Sequence, residues 1–181
     1  METEGMSVNE LIGQLDDFAE QRFPVQEIDH FMRGRILSEE ELAPYTFFEP
    51  DYYTRNLIHK STSFELIAIC WQPGQDSPVH GHEGEKCWSR VETGRLRFTS
   101  YSKVPSGNSL NFEVISVNMG GPGYLDGPAD IHKVENPSDT TAISLHLYSY
   151  PFEACDIYDV ENNLTSRKKL SYYSQYGTPC Q

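Results

Sequence analysis

From Tyr45 onward the chain breaks into short segments of alternating apolar and polar residues with no helix-length pattern between them. This spacing restricts the fold more than any other feature. Residues 53–59, 64–71, 86–92, 96–101, 110–117, 132–136, 142–148, 155–160 and 164–173 read as strands. Turn chemistry separates several of them, at Pro105-Ser106-Gly107-Asn108, Gly120-Gly121-Pro122-Gly123, Gly127-Pro128 and Glu161-Asn162-Asn163. Strands this closely spaced leave no room for crossover helices, so the expectation is an all-β sandwich or barrel.

The first 44 residues behave differently. Ser7-x-x-Glu10 is a capping box, and Leu11, Leu15 and Phe18 follow at helical spacing, which predicts a helix over 8–22 that stops before Pro24. A second helix is expected over 28–32, and Ser38-x-x-Glu41 announces a short third one ending near Pro44. No linker separates this leader from the rest. The chain of 181 residues is therefore expected to be a single domain (1–181), with a helical leader (1–44) packed on a β body (45–177).

Charge narrows the partners. Twenty-seven acidic against 14 basic residues give a formal net charge of −13, which disfavours nucleic acid, whose phosphates need clustered Lys and Arg. No apolar run is long enough to span a membrane, and the N-terminus lacks the layout of a secretory signal, so a soluble cytoplasmic protein is expected. Cys70, Cys87, Cys155 and Cys180 have no paired spacing and read as reduced thiols. Cys70 and Cys155 are expected to be buried, with Cys180 exposed in the tail.

The stretch Gly74 to Gly94 carries the first chemical signal. His80 and His82 are one residue apart on a segment that Pro78 keeps from being helical, so both imidazoles point to one face and could share a metal ion. A later strand supplies His132, followed by Asn136. His30 and His59 read as surface or capping residues, and Glu83 and Glu85 as loop charges. Gly74-x5-His80-x-His82 with Gly94, then His132-x3-Asn136, resemble the two boxes of cupins in order and separation. Where many cupins place a glutamate ligand this chain has Cys87. In residues 142–148, alternation sets Ser144, His146 and Tyr148 on one face and Ile143, Leu145 and Leu147 on the other. A small barrel with a metal inside would turn the polar set inward and pack the aliphatic set on another layer.

Together, Tyr53-Thr54-Arg55-Asn56-Leu57, Gly74 to Cys87, His132 to Asn136 and Ser144 to Ser149 closely resemble the cysteine dioxygenases, the thiol dioxygenase branch of the cupins. The resemblance runs from about Tyr45 to Gly177 and fades in the leader. It implies a mainly β, jelly-roll-like cupin barrel with a short N-terminal helical segment. It also implies a monomer that takes L-cysteine and O2 to cysteine sulfinate, a step of cysteine catabolism and taurine biosynthesis. By resemblance, His80, His82 and His132 hold Fe(II), Arg55 receives the substrate carboxylate with Tyr53 beside it, and Cys87 and Tyr148 join in a thioether. Ser144 and His146 would hydrogen-bond around the site, with His146 holding Tyr148.

Two departures from the family stand out. Ser149-Tyr150-Pro151 replaces Ser-Pro-Pro, so a cis peptide at that place would precede Tyr150, and Gly127-Pro128-Ala129 replaces the usual Pro-x-Gly spacing. The chemistry is coherent on its own terms. Three neutral imidazoles leave open positions on an iron, the missing carboxylate favours an anionic thiolate, and adding both oxygen atoms takes sulfur to the sulfinic level. Two rivals stay open: a dioxygenase for another small thiol such as 3-mercaptopropionate, and a zinc-bound or metal-free cupin that only binds.

Overall fold

The computed structural model describes residues 4–106 and 109–181. The turn expected at Pro105-Ser106-Gly107-Asn108 falls on Gly107 and Asn108, outside the described residues. In chain order the strands begin with β1 (Glu4–Met6), β2 (Arg35–Leu37), β3 (Thr54–Lys60), β4 (Glu65–Trp71), β5 (Val79–Gly81), β6 (Cys87–Thr93), β7 (Leu96–Ser106) and β8 (Ser109–Gly120). They continue with β9 (Leu125–Ala129), β10 (Ile131–Glu135), β11 (Ala142–Tyr148), β12 (Ala154–Asp159), β13 (Leu164–Lys169), β14 (Ser174–Gln175) and β15 (Thr178–Pro179). The helices are α1 (Val8–Glu20), α2 (Val25–Met32) and α3 (Glu39–Leu42), the last followed by a 3-10 turn over Ala43–Tyr45.

The capping box forms as its sequence requires, with Glu10 N–H donating to Ser7 Oγ at 3.1 Å and Ser7 N–H to Glu10 Oε2 at 3.3 Å. α1 ends two residues before the expected Arg22, because Arg22 and Phe23 turn into the left-handed region at φ 60° and 55°. α2 starts three residues earlier than expected, directly after Pro24, which is well suited to a helix entry. The strand expected over 164–173 closes at Lys169.

Two sheets make the body. One is ordered β13-β12-β5-β10-β7-β8 and the other β15-β14-β3-β4-β11-β6-β9, a jelly-roll-like arrangement with open edges. Two apolar clusters explain their spacing. Leu57, Ile67, Ile69, Trp71 and Val91 of the seven-stranded sheet meet Leu96, Phe98 and Val134 of the six-stranded sheet. On the other face of the seven-stranded sheet, Leu66, Ala68, Trp88, Ile143, Leu145 and Leu147 pack with Leu11, Leu15, Phe18 and Ile28 of the helices. Burial of a leucine such as Leu11 or Leu15 contributes about 1.5–3 kcal/mol. Strands β4 and β11 are therefore buried on both faces along their whole length, and the polar side of β11 is free to face inward.

A buried ion pair ties the leader to this sheet. Arg90 Nε donates to Glu92 Oε1 at 2.6 Å with both side chains fully sealed, and Glu92 Oε2 accepts Leu37 N–H at 2.6 Å. Removing either charge would leave the other buried alone, at a cost of about 3–5 kcal/mol. Gly94 closes the β6–β7 turn at φ 73°, where a Cβ would stand 2.5 Å from the Thr141 carbonyl oxygen, so no larger residue fits. The cis peptide among the described residues is Gly127–Pro128, and the bonds on either side of Tyr150 are trans.

Candidate metal centre and cavity

The three histidines converge because of strand register. His80 on β5 is the direct antiparallel partner of His132 on β10, and partners of this kind share a face. His82 follows directly after β5, two residues beyond His80, and its ring meets both of the others. The ring centroids are 5.0, 4.9 and 4.7 Å apart, and the three candidate ligand atoms fall within 4.8 Å of one another.

Backbone carbonyls set the tautomers of two of the rings. His80 Nδ1 lies 2.9 Å from Pro78 O and His82 Nδ1 2.8 Å from Asp130 O, contacts that fix the hydrogen on Nδ1 and turn Nε2 toward the common point. His82 Nε2 and both nitrogens of His132 are buried with no hydrogen-bond partner. Burial, followed by repulsion from neighbouring histidines, lowers the His82 pKa to about 3 and holds His132 well below the ordinary value. Burial also lowers His80 to about 4. Buried nitrogens without partners, held neutral and aimed at one point, are what a divalent metal needs as ligands.

Hydrogen bonds around the ligands hold the strands in place. Ser77 N–H donates to Val134 O at 2.9 Å and Ser77 Oγ accepts Val134 N–H at 3.0 Å, which sets the segment before His80 against β10. Asn136 Nδ2 donates to the carbonyls of Trp71, Gln72 and Thr140, fixing the exit from β10. Glu83 and Glu85, read as loop charges, act as such. Glu83 pairs with Arg167 at 2.6 and 2.8 Å, and Glu85 Oε2 accepts the Ser149 hydroxyl at 3.0 Å. Ser149 Oγ also accepts Lys86 N–H at 2.9 Å, so the loop before Cys87 is held against the residue after Tyr148.

Beside the histidines, between the two sheets, is a narrow cavity of about 40 Å³ lined by Tyr53, Arg55, Trp71, His80, His146 and Tyr148 from the residues nearest the chemistry. Phe152, Cys155, Lys168 and Leu170 are also among its lining residues. Arg55 is held on three sides. Its Nη1 donates to Ser171 O at 3.1 Å, its Nη2 is 3.9 Å from Glu65 Oε1, and its guanidinium lies 5.5 Å from the Tyr172 ring centre. Tyr53 stacks on Trp71 with centroids 4.7 Å apart. Tyr148 is buried, and that burial, together with the nearby Cys87, raises its pKa well above that of a free phenol, so it stays a hydrogen-bond donor. Cys87 is the direct cross-strand partner of Tyr148, and burial pushes its thiol up to about 12.

Five of the sequence-predicted residues thus line one cavity: Tyr53, Arg55, His80, His146 and Tyr148. His82, His132, Ser144 and Cys87 lie behind it, fully sealed. The expected bond between His146 and Tyr148 is replaced by another pairing. His146 Nε2 is 2.8 Å from Ser144 Oγ, its Nδ1 is 3.0 Å from Ser89 Oγ, and its ring centroid is 6.3 Å from that of Tyr148. Sequence reasoning passed over Ser89, although alternation from Cys87 would have turned it inward. It also passed over Lys168, on a strand whose exposed residues carry no inward signal.

Two sheets in a jelly-roll-like arrangement around three such imidazoles define a β fold with a candidate metal centre. The sequence profile of the cysteine dioxygenase type I family matches residues 2–161. Cysteine dioxygenase type 1 of Danio rerio is 30% identical over 160 residues, covering 84% of this chain and 79% of that protein. The Homo sapiens protein of the same name is 30% identical over 166 residues, covering 88% of this chain and 82% of its own. In fold, the Thermus thermophilus protein TT1209 aligns with a TM-score of 0.50 at 20% identity, over 60% of this chain and 93% of that one. The chain belongs to the cysteine dioxygenase type I family, a family of non-haem iron dioxygenases.

Proposed function

We propose that the protein oxidises the thiol of L-cysteine with O2 to cysteine sulfinate at ferrous iron held by His80, His82 and His132. The observation that carries the reading is the set of buried, partnerless imidazole nitrogens of His82 and His132 gathered against His80, whose own ring lines the same cavity as Arg55. Iron, when bound, supplies the chemistry by which thiolate and O2 react. The chain's own residues bind and orient the substrate.

Arg55 receives the carboxylate through a charge-assisted, bidentate pair, for which its planar fork is suited and lysine is not. Ser171 O and the Tyr172 ring hold that fork from behind. Tyr53, braced on Trp71, closes the same side. Tyr148 donates its phenolic hydrogen toward the reacting end of the substrate, and the apolar walls at Ile69, Val134, Phe152 and Ile157 limit water. Both atoms of O2 pass to sulfur, so R–SH and O2 give R–SO2H with nothing left over. The direct cross-strand pairing of Cys87 with Tyr148 supports a thioether between them, since such partners have Cβ atoms only about 4.5–5.5 Å apart. The same reading takes the whole chain as one unit in the cytoplasm.

Among the described residues no carboxylate lines the cavity to receive an α-ammonium group, and this favours 3-mercaptopropionate as the second reading. Oxygen uptake by ferrous-loaded protein separates them. Cysteine should be consumed in step with O2 and appear as sulfinate, faster than 3-mercaptopropionate, while zinc-loaded protein consumes none. Arg55→Gln should lower kcat/KM for cysteine by about 10- to 100-fold, the equivalent of one lost charged hydrogen-bonded pair. No uptake with either thiol, or unchanged cysteine kinetics in Arg55→Gln, would contradict the assignment.

A further inference from the structure

A line of sealed polar side chains runs behind the cavity. Trp71 Nε1–H donates to Ser144 Oγ at 2.9 Å, and Ser144 Oγ is 2.8 Å from His146 Nε2. His146 Nδ1 is 3.0 Å from Ser89 Oγ, which is 3.8 Å from Cys87 Sγ. Trp71, Ser144, His146, Ser89 and Cys87 are each exposed by 2% or less. The register explains the meeting: Ser89 pairs with His146 and Cys87 with Tyr148 across β6 and β11. Cys87, Ser89 and Val91 face inward while Trp88, Arg90 and Glu92 face the leader, so a hydroxyl at 89 interrupts an otherwise apolar run.

We propose that Ser89 is a positioning residue that holds His146 as its Nδ1–H tautomer and, with Ser144, occupies both ring nitrogens so that none is left for Tyr148. The direction follows from the ends of the line. An indole N–H can only donate, so the Ser144 oxygen accepts from Trp71 and keeps its own hydrogen to give, with His146 Nε2 placed to accept it. A neutral imidazole has one donor and one acceptor, so Nδ1 carries the hydrogen and gives it to Ser89 Oγ. Ser89 in turn directs its hydroxyl hydrogen at the Cys87 sulfur.

The reverse direction starts from a weak S–H donor. It ends with two hydrogens already on the Ser144 oxygen and its own hydrogen without a further partner among the described residues. If Cys87 is joined to Tyr148, as the proposed function has it, the sulfur carries no hydrogen and the reverse direction is closed. In either case the phenolic hydrogen of Tyr148 is not drawn to an imidazole, which leaves it free to serve the cavity.

Two-bond proton–nitrogen correlation spectra of histidine-labelled protein, metal-free or zinc-loaded, read the tautomer directly, with His146→Gln giving the assignment. The wild-type chain should show Nδ1–H at His146. Ser89→Ala should move it toward Nε2–H, and Ser89→Thr should restore it. An Nε2–H tautomer in the wild type, or no change in Ser89→Ala, would overturn the proposal. The wild-type spectrum alone decides if the alanine variant does not fold. In the iron-loaded enzyme, and resting on the dioxygenase reading, Ser89→Ala should lower kcat roughly 10-fold at unchanged KM, with threonine rescuing. Unchanged kcat with a changed tautomer would remove the catalytic consequence and leave the positioning. A wild-type enzyme that consumes no O2 would remove the dioxygenase reading and leave the spectra standing.

Discussion

His132 is sealed from solvent with neither ring nitrogen hydrogen-bonded, an arrangement that would be costly in a chain with no ligand to offer it. Its partners His82 and His80 spend one nitrogen each on a carbonyl and point the other inward. The lowered pKa values give a test that needs no catalysis. Above the ordinary value of 6.5 folded and unfolded chains both keep these rings neutral. As pH falls below 6.5 the unfolded chain takes up protons that the folded chain refuses, so stability is lost with falling pH until the folded pKa is reached, about 3 for His82. Each such ring contributes about 1.4 kcal/mol per pH unit across that window. The thermal midpoint of metal-free protein should therefore fall steeply below pH 6.5, and His82→Gln should have a shallower slope. A midpoint that is level through that range would show that the rings are not buried and neutral.

At the scale of elements, the pairing of β6 with β11 decides most of the site. It sets Cys87 against Tyr148 and Ser89 against His146. Intact mass of iron-replete, aerated protein should show a species lighter by two hydrogens, absent from Tyr148→Phe. A single unmodified mass in active protein would remove the thioether. Alternation along β11 was enough to put Ser144, His146 and Tyr148 on one face and to send Ile143, Leu145 and Leu147 to another layer, which proves to be the helices. What those polar groups touch was not legible. The β6–β11 register shifts at Ile143/Ser144, and a shift of that kind changes which residue stands opposite which without leaving a mark in either strand's own pattern. The expected contact of His146 with Tyr148 gives way to Ser144 on its own strand and to Ser89, its partner across β6. β5, β9, β14 and β15, each of two to five residues, were too short to show alternation of their own.

For the whole molecule, the legible part was what periodicity and spacing can carry: a helical leader, a β body, and two histidine boxes that meet on neighbouring strands. The depth of the site was not, because it comes from packing a seven-stranded sheet between helices and a second sheet. No helix among the described residues is long and apolar enough to cross a membrane. Charge is also unevenly shared. The chain carries a net −13, yet among the described residues the cavity lining includes Arg55 and Lys168 and no acid, so its interior favours a small anion where the overall surface does not. The central claim is that the three imidazoles hold iron at which both atoms of O2 are given to one sulfur. Turnover of cysteine under oxygen gas enriched in the heavy isotope tests it most directly, with mass spectrometry of the product. The account predicts sulfinate with both oxygens labelled, and none from His132→Ala. One labelled and one solvent-derived oxygen, or the same product from His132→Ala, would contradict it.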